Sequence, residues 1–220
     1  MILEVEGNMK VIAVCHQKGG VGKSTIAQAV AVGSPKKSRI FDADAQGTSG
    51  KFVTQRITDG RNNPDLASGR IENLRLLVEQ AEKDGVEWFV IDTPPEQATE
   101  VNLRAALSVA DFAILPTKAS ANDVEVLPKT INVVRQLDVP FGIVINEFDG
   151  RRSLHKQVSN DLKELVANNG GHFFAPLRNL AVHQEATFAR ECAIEYAPSS
   201  NGAREMTLLV RELVGLLKGI

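Results

Sequence analysis

The sequence predicts an α/β fold, a mostly parallel β-sheet sandwiched by helices, and two patterns carry that expectation. Short, nearly unbroken apolar runs rich in Val, Ile and Phe recur at 11–15, 38–41, 88–91, 112–115 and 141–145. Runs of this kind suit strands buried on both faces. Between them lie segments with helical spacing, at 23–32, 71–83, 101–109, 123–137 and 153–168. Strand, helix, strand repeated in this way implies crossover connections and a sheet whose neighbours run parallel.

Composition bounds the rest. The 220 residues leave ample chain to bury a core, and 43% hydrophobic with 24% charged residues argues against disorder or a repeat array. With 25 Lys+Arg against 27 Asp+Glu the formal net charge is −2, so any binding to nucleic acid or an acidic membrane must come from a local patch. Cys15 and Cys192 are too few and too far apart for an intrachain zinc or iron–sulfur site, and they suit a reducing cytosol. No run reaches the ~18 apolar residues of a membrane span, and the first residues are acidic where a signal peptide would be basic. Residues 1–8 are set aside as a tail, and 9–220 are expected to form one domain.

In parallel sheets ligands gather beyond the carboxyl ends of the strands, so the chemistry is sought there. After the first run comes Gln17-Lys18-Gly19-Gly20-Val21-Gly22-Lys23-Ser24-Thr25, opening a helix. A phosphate needs several backbone N–H groups aimed at it, and glycines let the chain curl closely before the helix N-terminus adds its partial positive charge. Lys23 then reaches the β- and γ-phosphates and the Ser24 hydroxyl ligates Mg²⁺. The pattern departs from G-x-x-x-x-G-K-S/T because Lys18 stands where the first glycine would be.

Three further strand ends carry polar groups. The second run enters Asp42-Ala43-Asp44-Ala45-Gln46-Gly47, and a carboxylate facing the phosphate loop can orient an attacking water. The third ends at Asp92-Thr93-Pro94-Pro95, where a buried strand fixes a carboxylate for Mg²⁺. The fifth ends at Asn146, whose amide can both donate to and accept from a base edge.

Lys18-Gly19-Gly20-Val21-Gly22-Lys23-Ser24 resembles the deviant Walker A motif of the ParA/MinD ATPases, a P-loop NTPase group. The segments 175–179, 183–186 and 196–203 resemble the small ParA partition proteins more than MinD. That resemblance implies Lys18, Gly19, Gly20, Val21, Gly22, Lys23, Ser24, Thr25 and Asn146 as ATP-binding residues. Lys18 would reach across a homodimer to the partner's nucleotide, and Asn146 would read the adenine. It further implies Asp44 as the water-holding catalytic residue beside Lys18 and Lys23, with Ser24, Asp42 and Asp92 around Mg²⁺. Ala45 stands where the family usually has proline.

The same resemblance implies an ATP-sandwich dimer that binds nucleoid DNA without sequence preference. A ParB-like, centromere-binding adaptor would stimulate hydrolysis, and the protein would be cytoplasmic and nucleoid-associated. Arg151, Arg152, Lys156, Arg178 and Arg190 are the candidate DNA contacts. Two alternatives are weighed, a MinD-like membrane-associated positioning ATPase and a metabolic ligase of dethiobiotin-synthetase type. Against the first, the leucines of 203–219 are accompanied by Arg204, Glu205, Arg211, Glu212 and Lys218, whose charges nearly cancel, so this helix is expected to pack in the core. Only 18 residues separate Lys23 from Asp42, which predicts a short first helix.

Overall fold

Each of the five apolar runs is a strand of one sheet in the computed structural model, which describes residues 9–44, 47–94 and 100–219. In chain order the elements begin β1 (Lys10–Val14), α1 (Lys23–Gly33), β2 (Ser38–Asp42), α2 (Thr48–Thr58) and β3 (Asp65–Ala67). A 3-10 turn (Ile71–Asn73) then leads into α3 (Leu74–Lys83), β4 (Trp88–Asp92), α4 (Glu100–Leu107), β5 (Phe112–Lys118), α5 (Ala121–Gln136) and β6 (Phe141–Asn146). The chain continues through α6 (Ser153–Asn168), β7 (His172–Phe173), α7 (Ala181–Phe188), α8 (Ala193–Tyr196) and α9 (Asn201–Leu217). The sheet order is β3-β2-β4-β1-β5-β6-β7, and every pair is parallel.

Alternation along the strands explains why both faces are covered. In β1, Val11 and Ala13, followed by Cys15, point into one core layer, whereas Ile12 and Val14 point into the other. The first layer gathers apolar residues of α3, α4, α5 and α6, among them Leu74, Leu103, Leu127, Ile131 and Leu162. The second gathers Ile26 and Val30 of α1, Phe52 and Val53 of α2, and Met206, Leu209, Val210, Leu213 and Leu217 of α9. Burial of those α9 residues accounts for the leucine-rich segment as core. Among the described residues no helix is long and apolar enough to cross a membrane.

α1 is 11 residues long, as the spacing predicted. Its Gly33 lets α9 approach closely: a Cβ there would lie 3.0 Å from Val210 Cγ2. β5 runs three residues past its apolar run and contains Pro116, which a central strand rarely tolerates. The register explains it. β1 pairs with β5 only as far as Ile114, whose carbonyl accepts from Cys15 N, and Pro116 shares the parity of Ile114. Its missing N–H therefore faces the side that β1 has already left.

β3 and β7, of three and two residues, are too short to register as apolar runs, and α2, α7 and α8 were likewise unanticipated. Phe89 is fully buried in the centre of β4. Phe89→Ala is expected to lower unfolding stability by about 3–5 kcal/mol in denaturant titration. A loss under about 1 kcal/mol would contradict that packing.

Candidate nucleotide site

β1 lies where the strand order reverses: the chain proceeds from it outward to β2 and β3 on one side and later to β5, β6 and β7 on the other. The crevice at such a switch point lies over the carboxyl ends. Here it is a cavity of about 700 Å³ whose wall includes Gly19, Gly20, Gly22, Lys23, Ser24, Thr25, Asp44 and Asn146. The topology thus gathers the glycine loop, the end of β2 and the end of β6 around one space.

Two glycines make the loop possible. Gly20 has φ +73° with open space around it, so its requirement is conformational. Gly22 has φ +99° and caps α1, and a Cβ there would lie 2.1 Å from Asn146 Nδ2. The first turn of α1 carries no acidic residue, so its dipole and free N–H groups remain available to an anion.

Both loop lysines are engaged within the chain. Lys23 is buried and its Nζ donates to the Lys18 carbonyl at 3.0 Å. Lys18 Nζ pairs with Asp123 Oδ1 at 2.7 Å, and Ser120 at the N-cap of α5 donates its hydroxyl to the other oxygen of Asp123. The Lys18 backbone N–H donates to His16 Nδ1 at 2.9 Å. Burial, and then the nearby Lys23 ammonium, push the His16 imidazolium down to about 4, so the ring is neutral and its Nδ1 can accept.

The carboxylates divide their roles. Asp92 is fully buried at the end of β4; burial raises it to about 7, against the pull of the Ser49 hydrogen bond and the nearby Ser24 hydroxyl. Ser49 donates to Asp92 Oδ2 at 2.7 Å, while Oδ1 is buried without a hydrogen-bond partner among the described residues. An orphaned carboxylate oxygen beside the Ser24 hydroxyl fits a divalent cation, whose charge would compensate the buried anion. Asp42, opposite Asp92 in the β2–β4 register, spends both oxygens on the turn: Oδ1 accepts from Asp44 N at 2.9 Å and Oδ2 from Gly50 N at 2.8 Å. Asp44 lines the cavity. Ala45 and Pro95 lie outside the described residues.

Of the basic residues expected to meet DNA, three are neighbours at one helix end, and Arg178 bridges Phe148 a few residues before them. Arg151, Arg152 and Lys156 lie together and exposed at the start of α6, Arg151 paired with Asp149 at 3.0 Å. Arg178 is in the cavity wall, its guanidinium paired with Glu205. Arg190 is exposed beyond α7. Sequence reasoning missed His16, Ser49, Asp123 and the wall supplied by α7, including His183 and Phe188. Ser120 and Asp123, three apart before a helical run, carried a cap signal for α5 that sequence reading could have used.

The fold and loop define a phosphate-loop nucleotide site. The chain belongs to the CobQ/CobB/MinD/ParA nucleotide binding domain family, CbiA, whose model matches residues 12–185. It is 38% identical over 125 residues, 56% of either chain, to the maintenance of carboxysome distribution protein A of Gloeobacter kilaueensis. Over 241 residues it is 28% identical to the chromosome-partitioning ATPase Soj of Thermus thermophilus, covering 92% of this chain and 94% of that one. A variant of Cyanothece McdA solved in complex with ATP superposes with a TM-score of 0.75 at 18% identity, over 95% of this chain and 97% of the other, which shows a shared fold.

The neutral His16 gives a test. Its unfolded value of 6.5 exceeds its folded value of about 4, so the unfolded chain binds the extra proton between those limits, and stability falls as pH drops through that window. The loss attributable to His16 is expected to approach about 3 kcal/mol at pH 4, and His16→Asn should flatten that part of the profile. An NMR titration of His16 with a midpoint near 6.5 would contradict the assignment.

Proposed function

We propose that this protein is an Mg²⁺-dependent ATPase that dimerises around ATP and acts as a switch for segregating or positioning DNA or another large cargo. The observation that carries the reading is the loop itself: Lys18 and Lys23 flank a glycine curl that opens on the cavity with Asp44 in its wall. The names of the two relatives support a partition or positioning role.

Binding begins with the backbone N–H groups of 19–24 and the α1 dipole on the triphosphate. Lys23 exchanges the Lys18 carbonyl for phosphate oxygens, which neutralises charge on the triphosphate. Ser24 and Asp92 would hold Mg²⁺, which supplies charge neutralisation on the phosphates when bound. Asp44 orients and deprotonates the water in line with the γ-phosphate.

Lys18 supplies the switch. In the single chain its ammonium is satisfied by Asp123, a partly exposed pair of modest worth, so a stronger anion can replace it. The triphosphate of a second copy is such an anion, and closure then depends on ATP in both chains. The dimer would bind nucleoid DNA through Arg151, Arg152, Lys156, Arg178 and Arg190, and a ParB-like adaptor would trigger hydrolysis and release. Packing of α9 into the core favours this over attachment to a membrane.

Asp44→Ala is expected to bind ATP while hydrolysing it at least ~100-fold more slowly in single-turnover assays. Lys18→Gln should keep ATP binding but lose ATP-dependent retention on non-specific DNA. Retention by the wild type should fall with salt at a log–log slope of about −0.9 for each phosphate contacted. Undiminished DNA retention by Lys18→Gln, or rapid turnover only with a small organic co-substrate, would contradict the proposal.

A further inference from the structure

The end of β6 reaches into the phosphate loop from beneath. Asn146 Nδ2 donates to the Val21 carbonyl at 3.1 Å, and since a carbonyl can only accept, the amide's orientation is fixed by that bond. The contact is intimate: Gly22 has no room for a Cβ because Asn146 Nδ2 would sit 2.1 Å from it. In a trans peptide the C=O of one residue and the N–H of the next point in opposite directions. Tying down the Val21 carbonyl therefore sets the direction of the Gly22 N–H. It also sets the start of α1, whose first turn closes through Ile26 N on the Gly22 carbonyl at 3.0 Å.

Asn146 is itself held on both sides. It pairs in register with Lys118 of β5, and Lys118 Nζ bonds Glu147 Oε1 at 2.7 Å. Glu147 adopts φ +55°, a left-handed conformation that a glutamate keeps only where its surroundings impose it. The next N–H, of Phe148, donates to the Leu177 carbonyl at 2.8 Å. Strand pairing, an ion pair and a backbone bond thus clamp the residue whose amide touches the loop.

We infer that Asn146 is a positioning residue for the phosphates: its amide is a strut that holds the Val21–Gly22 peptide in the curl that receives them. This rests on reading the loop as a nucleotide site, and it goes beyond a contact with the base. A residue that only reads adenine acts on the nucleotide alone, whereas a strut acts on the empty loop as well.

Hydrogen exchange of the nucleotide-free protein separates the two. Asn146→Ala is expected to speed exchange of amides in the peptide spanning 17–25 by about tenfold or more, with β5 amides unchanged as the internal control. Asn146→Asp keeps the size but turns an oxygen toward the Val21 carbonyl, and should loosen the loop at least as much. If alanine raises exchange throughout β5 too, the near-isosteric aspartate decides. Unchanged loop exchange in Asn146→Asp, or in an Asn146→Ala whose β5 is intact, would overturn the inference.

A second readout uses inorganic tripolyphosphate as competitor against a fluorescent ATP analogue. Asn146→Ala should weaken tripolyphosphate about as much as ATP, and a loss confined to ATP would overturn the inference. A wild-type chain that bound no ATP would remove the nucleotide reading while leaving the exchange comparison to stand alone.

Discussion

Aiming several backbone N–H groups at one anion forces the chain after β1 into a curl that only glycine accommodates, and most of the site follows from that requirement. Gly20 and Gly22 take positive φ, Lys23 and Ser24 fall on the first turn of α1, and Lys18 is left at the mouth. The curl is braced by three separate groups: His16 accepting the Lys18 N–H, Lys23 donating to the Lys18 carbonyl, and Asn146 donating to the Val21 carbonyl. Each brace comes from a strand end or from the loop itself. The parallel sheet matters to function chiefly because it brings those ends to one edge.

Electrostatics treats the two charged groups of the site differently. Asp92 is buried with one oxygen unsatisfied, a position that a cation would relieve. Lys18 is satisfied by Asp123, which in turn is fixed by the cap of α5. Filling the cavity with an anionic ligand and its cation changes the partners available to both groups. Under the proposed function the loop would exchange these ion pairs on loading, and the loaded and empty forms would differ in what they present to another chain.

Much of this was legible in the sequence, unevenly and for identifiable reasons. Five strands were visible because strands buried on both faces leave unbroken apolar runs. β3 and β7, Asp65–Ala67 and His172–Phe173, were not, since edge strands of two or three residues carry no such pattern. The glycine loop was legible because its chemistry is local. Its supports were not: Asp123 lies more than a hundred positions from Lys18, and Asn146 meets Val21 across 125 positions, through sheet order that composition does not encode. Asp42 has a part that its strand-end position did not announce: its oxygens hold the Asp44 and Gly50 N–H groups.

The central claim is that triphosphate converts one chain into two facing ones. Sedimentation velocity of Asp44→Ala with ATP and Mg²⁺, across a hundredfold range of protein concentration, tests it most directly. The account requires a monomer without nucleotide, a dimer of about 48 kDa with ATP, twice the 23.8 kDa chain, and a return to monomer when Lys18→Gln is added to the same chain. A single 23.8 kDa species throughout the ATP series would contradict it.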